Sequence, residues 1–146
     1  MKLEGSVDIR ADRDRVWAFL VDPDQVGSCL PAVHSIKKLG DGRFEAQAKV
    51  GVGFISAKFV LHCAFTEMDA PNHAAIRAKG KATGSSVDGT ARMSLRDLES
   101  GGTAVDWTAD VEVSGMVARI GSKRLESAAN KMIVRTFKCA KRKLRA

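Results

Sequence analysis

The sequence contains no tyrosine, only three histidines and three cysteines, and no apolar run long enough for a membrane span. Each shortage excludes something. A helical span needs roughly 20 consecutive apolar residues, and none is present. Cys29, Cys63 and Cys139 lie far apart and never form a Cys-x-x-Cys pair. Neither a disulfide framework nor a zinc site is therefore expected. Cys63 reads as a reduced, buried small hydrophobe. The start, Met1-Lys2-Leu3-Glu4-Gly5, has no apolar signal segment, which predicts a cytoplasmic protein.

The scarcity of aromatic residues narrows the choice of partner. A net charge of +7 and a pI of about 9.6 favour acidic surfaces. Lys58, Arg77, Lys79, Lys81, Arg92 and Arg96 all fall on outward strand phases. Phe59, Phe65 and Trp107 point inward, however, so no stacking platform accompanies those cations and nucleic acid is not the expected partner. Catalytic equipment is missing too. The inward strand positions hold no carboxylate, histidine or lysine, and no nucleophile–base pair presents itself. His62 falls on an outward phase, and His34 and His73 sit in or near turns, so no metal is expected. Asp12 and Asp14 are explained by helix capping. Gly51-Val52-Gly53 lacks the following Lys-Ser/Thr of a phosphate loop. The expectation is a protein without catalytic residues, metal or cofactor.

What is present is a regular pattern. At 146 residues, 45% hydrophobic and 28% charged, the chain suits one soluble domain over 1–146. Leu3, Gly5, Val7 and Ile9 alternate with polar residues as a first strand. Asp12 caps a short helix from Arg13 to about Val21, and Asp22-Pro23 starts a second that runs into a turn at Pro31. The period is then close to two: Val33 to Leu39, Phe44 to Val50, Ile55 to Phe65, Ala74 to Ala82, Val87 to Leu95 and Val105 to Val113. Seven strands joined by short turns predict an antiparallel meander with one apolar face.

The last stretch changes period. From Gly115 to Leu144 apolar residues recur every three or four positions, predicting one long amphipathic helix of about 45 Å. Gly121, Ala128 and Ala129 put small residues on its stripe. Facing it are Ala57, Ala74, Ala78, Ala82, Ala91 and Ala109, a lining too small to fill the interior. A curved sheet gripping such a helix leaves room for a flexible apolar guest, to which Met93, Met116 and Met132 would adapt. Arg135, Lys138, Lys141, Arg142, Lys143 and Arg145 crowd the last turns. Dipole compensation explains one or two of them, and the excess reads as a docking patch for membrane or protein.

Several landmarks together resemble a known family. They are Leu3-x-Gly5, Val16-Trp17-x-x-Leu20, Asp22-Pro23, Cys29-Leu30-Pro31, Val50-Gly51-Val52-Gly53, Gly102-Thr103 and Gly115-Met116-x-Ala118-x-x-Gly121. In order and spacing they are similar to the CoxG-like family of carbon monoxide dehydrogenase accessory proteins, over essentially the whole chain. One departure is Pro31-Ala32 where the family usually has Pro-Gly, so its turn geometry does not carry over there. The resemblance implies an α+β helix-grip fold (START/SRPBCC, Bet v 1-like). It has a seven-stranded curved sheet, two short helices after the first strand, and a long C-terminal helix. It also implies a non-catalytic accessory protein for a molybdenum hydroxylase, carrying a quinone or lipid between enzyme and membrane. Many relatives carry a C-terminal extension for membrane contact. Since this chain stops at Ala146, its contact with the inner face of the membrane would be peripheral. The expected ligand contacts are Leu30, Pro31, Phe59, Leu61, Met93, Trp107, Met116, Ile120, Gly121, Ala128 and Met132. Two other readings are a ligand-free protein-binding adaptor or maturation factor, and an enzyme of the polyketide cyclase/aromatase type.

Overall fold

A computed structural model describes residues 1–145. Its elements follow the expected order: β1 (Lys2–Ile9), α1 (Arg13–Leu20), α2 (Pro23–Gly27), β2 (Val33–Gly40), β3 (Arg43–Val52), β4 (Ile55–Asp69), β5 (His73–Ala82), β6 (Ser85–Asp97) and β7 (Thr103–Gly115). A 3-10 turn, Met116–Ile120, leads into α3 (Ser122–Arg145). The strands form one antiparallel curved sheet in the order β1-β7-β6-β5-β4-β3-β2. Breaks of register between Phe65 and Glu67, and near both ends of β2, help the sheet to bend.

Both short helices begin where their caps dictate. Asp12 accepts a hydrogen bond from Arg15 N at 2.9 Å, and Asp22 from Asp24 N at 3.0 Å with Pro23 in the first turn. The buried Thr103 hydroxyl donates to Ala11 O at 2.8 Å, tying the entry of α1 to the start of β7. Lys38 on β2 pairs with Asp22 and Asp24, holding α2 at the sheet edge.

The final helix departs from expectation. A 3.6-residue apolar pattern runs from Gly115 to Leu144, but α3 begins only at Ser122. Gly115 (φ 83°) and Gly121 (φ 94°) take left-handed conformations that stop helical propagation on either side of the 3-10 turn. Gly115 also has no space for a side chain, since a Cβ there would lie 2.1 Å from Gly84 O. Val117 N donates to the buried Ser85 hydroxyl at 3.0 Å, fixing the turn against β6.

A second correction concerns the cysteines. Cys29 and Cys139 form a disulfide, with Cα atoms 5.5 Å apart across a sequence separation of 110. Spacing along the chain gave no sign of it, because the loop after α2 meets the last turns of α3 only in space. Cys63 is free and buried.

The packed core lies at that end. Ile9, Val16, Trp17, Phe19, Leu95 and Val105 gather around Cys29, Cys139, Ala140 and Leu144. Those last three are the buried residues of α3, while Leu125, Ala128, Ala129, Met132 and Ile133 are only half-buried or exposed. The helix is seated at its C-terminal end and stands off the sheet over its first half.

Two consequences are measurable in urea denaturation. Gly115→Ala should lose about 2 kcal/mol or more and Gly121→Ala, which has open space around it, about 1 kcal/mol. Equal losses would mean that the Gly84 carbonyl moves aside freely. Cys29→Ser combined with Cys139→Ser should cost on the order of 4 kcal/mol, from release of a long closed loop in the unfolded chain. Unchanged stability would remove the disulfide from the fold's support.

Candidate functional site

Beneath the middle of α3 the sheet encloses a cavity of about 390 Å³. Its floor comes from inward strand positions, among them Phe44, Ala46, Leu61, Phe65, Ala91 and Met93. Trp107 and Ala109 continue it on β7, and Ile133 and Phe137 close it from α3. Leu20, Pro23, Val26 and Leu30 from the two short helices and the turn after them, with Val33 and Ile36 of β2, form the remaining side. The Trp107 and Phe137 rings face each other with centroids 6.5 Å apart. A space of this volume, walled almost wholly by hydrocarbon, falls within the range of small-molecule sites.

The polar content of the wall is low. Arg92 and Thr108 reach it from the opposite strand alternation, and the Arg92 guanidinium is held by Glu67 Oε2 at 3.0 Å. No histidine, aspartate or glutamate among the described residues lines it. The Cys63 thiol does, and burial pushes it up to about 11, so it is neutral at physiological pH. The arrangement can hold an apolar molecule by excluding water; it places no acid–base pair of the described residues against one.

A second space, a groove of about 710 Å³, lies between the first half of α3 and the end of β3. Pro31, Ala32, Val50, Val52, Ala128 and Met132 line it, rimmed by Lys49, Lys123, Arg124, Lys131 and Arg135. None of these cations makes an ion pair among the described residues.

The expected ligand contacts are divided between these spaces. Leu30, Leu61, Met93 and Trp107 line the cavity, whereas Pro31, Ala128 and Met132 line the groove. Phe59 is buried but lies on the wall of neither, being further toward the β3–β4 turn than Leu61. Met116, Ile120 and Gly121 line neither, because the backbone breaks at Gly115 and Gly121 and takes them off the helix. Met116 is instead 50% exposed. Sequence reasoning missed Phe44, Phe65, Ile133 and Phe137, although their apolar phases were already visible.

The basic tail is divided as well. Arg135 belongs to the groove, and the Lys143 ammonium donates to Ser28 Oγ. Lys138, Lys141, Arg142 and Arg145 have no ion-pair partner among the described residues. No helix among those residues is long and apolar enough to cross a membrane.

The family model for CoxG, the G component of carbon monoxide dehydrogenase, matches residues 5–145. The chain belongs to that family. No curated protein matches it in sequence. Among solved structures it is similar to a conserved protein from Geobacillus kaustophilus, with TM-score 0.92 and 23% identity, covering 99% of this chain and 95% of that one. A START superfamily protein from Mycobacterium smegmatis has TM-score 0.75 and 13% identity, covering 99% and 97%. The Zhui aromatase/cyclase from Streptomyces sp. R1128 has TM-score 0.74 and 16% identity, covering 99% and 93%. These likenesses show a START/SRPBCC helix-grip fold, and a fold alone does not carry an activity.

The thiol in the cavity wall provides a probe. Alkylation of Cys63 by iodoacetamide in the folded protein should be slow at pH 8, where the thiolate is about a thousandth of the whole, and rise about tenfold per pH unit toward its pKa. A fast, pH-independent reaction would place Cys63 outside the dry cavity.

Proposed function

We propose that this protein is a non-catalytic carrier of a hydrophobic small molecule, a lipid or a quinone. In this reading it couples a carbon monoxide dehydrogenase-type molybdenum hydroxylase to the cytoplasmic face of the membrane. The observation that carries the reading is the cavity of about 390 Å³ with a hydrocarbon wall and a neutral thiol. Family membership supplies the partner class. The carrier needs no cofactor of its own, since holding and releasing an apolar molecule requires only water exclusion and an opening. The cations of the last turns, Lys138, Lys141, Arg142 and Arg145, are the contact for an acidic surface on the enzyme. An aromatase/cyclase reading would require a proton-transfer group facing the substrate, and Arg92 is already engaged by Glu67.

Native mass spectrometry after gentle extraction tests the carrier. A lipid or quinone adduct is expected on the unmodified protein, and added menaquinone or ubiquinone should load any empty fraction. Ala91→Phe, which fills the cavity, should lower that loading at least tenfold while the domain stays folded. Clean protein that refuses both quinones would overturn the reading.

A further inference from the structure

The two ends of the sheet differ in charge and in what they expose. At one end lie the β3–β4 turn (Gly53, Phe54), the β5–β6 turn (Thr83, Gly84) and the passage from β7 to α3 (residues 116–121). None of these connections, nor any residue immediately flanking them, is Asp or Glu. The connections at the other end have Asp41, Asp69, Asp97 and Glu99 in or beside them. The basic C-terminal turns lie near that acidic end, where Lys143 reaches Ser28.

At the acid-free end Phe54 is 107% exposed, wholly in solvent at the tip of a hairpin. A large aromatic side chain in that position contributes nothing to the core. Met116, half exposed, lies over the β5–β6 turn, where a Cβ on Gly84 would be 3.1 Å from its sulfur. Arg124 passes beside the hairpin tip, its guanidinium 2.6 Å from where a Gly53 Cβ would stand. Lys49 and Lys58 face each other across the same hairpin, and Lys123 and Lys131 continue the positive rim along α3. Asp88, Glu112 and Glu126 are the carboxylates nearest these turns in the chain, and Asp88 is already engaged by Arg77 at 3.2 Å. They are too few to neutralise the cations.

We infer that this end of the molecule, with Phe54 at its tip, is the surface that docks on an anionic lipid bilayer. The inference rests on the membrane-coupling part of the proposed function and names the face that performs it. A bilayer is favoured over a folded acidic partner because the exposed aromatic is on a convex tip with no surrounding pocket wall. An aromatic ring enters the interfacial region without a complementary shape, and cations around it are attracted by anionic headgroups. The cationic groove opens beside the same tip, so a ligand leaving the bilayer would meet this face first.

Co-sedimentation with vesicles of phosphatidylcholine containing a third phosphatidylglycerol tests the assignment. The unmodified protein should bind these vesicles and leave pure phosphatidylcholine vesicles unbound. Phe54→Ala should weaken binding at least tenfold with unchanged thermal stability, and Arg124→Glu with Lys131→Glu should abolish it. Lys141→Glu with Arg142→Glu should leave it within twofold. In Phe54→Trp, addition of anionic vesicles should move the added indole's emission to the blue. Failure of the unmodified protein to bind, loss of binding only in the tail variant, or a Phe54→Ala defect confined to binding an acidic protein would each overturn the assignment. Quinone loading measured in parallel separates the two readings. Vesicle binding through Phe54 by a protein that takes no quinone would sink the carrier and leave this face standing, and quinone loading without vesicle binding would do the reverse.

Discussion

The seating of the last turns of α3 is the interaction on which the rest depends. Cys139, Ala140 and Leu144 are buried against α1 and the near ends of β1, β6 and β7, with Cys29 covalently attached. Close packing is satisfied there and relaxed elsewhere. Because the helix is fixed at one end, its first half is free to lie off the sheet, and small residues opposite, such as Ala46, Ala91 and Ala109, do not fill the gap. The cavity follows from where the core is.

The same asymmetry organises the charge. The packed end carries the acidic turns, the α2 clamp formed by Lys38 with Asp22 and Asp24, and the buried Thr103 that ties β7 to α1. The loose end carries the 3-10 turn, the exposed Phe54 and a rim of cations without ion-pair partners among the described residues. Stability and binding are thus assigned to opposite ends of one sheet. A ligand site between them can change its filling without disturbing the core that maintains the fold.

Most of the architecture was legible in the residues. Strand phases follow from period-two alternation, and Asp12 and Asp22-Pro23 announced both short helices, because capping chemistry is local. The limits of legibility were also physical. The apolar 3.6-residue pattern passes through Gly115 and Gly121 without a mark, so only the backbone angles there reveal that α3 is shorter than its periodicity. The Cys29–Cys139 pairing is invisible to spacing, since it depends on which loop meets which helix turn. For the candidate site, inward phase was enough to place Leu61, Met93 and Trp107 on the cavity wall. Met116 and Gly121 lie away from it because the expected helix began seven residues too early. The separation of Met132 and Ala128 into a cationic groove depends on how α3 stands above β3, which no local pattern encodes.

A methyl-resolved NMR titration with a short-chain quinone tests the central claim most directly. Met93 lies in the cavity, Met132 in the groove and Met116 on the exposed turn, so three methionine methyls report on three places. A carrier with its site under the middle of α3 predicts that the Met93 methyl shifts and saturates at one equivalent while Met116 stays still. Movement of Met132 with Met93 unchanged, or no shift at any of them, would contradict it.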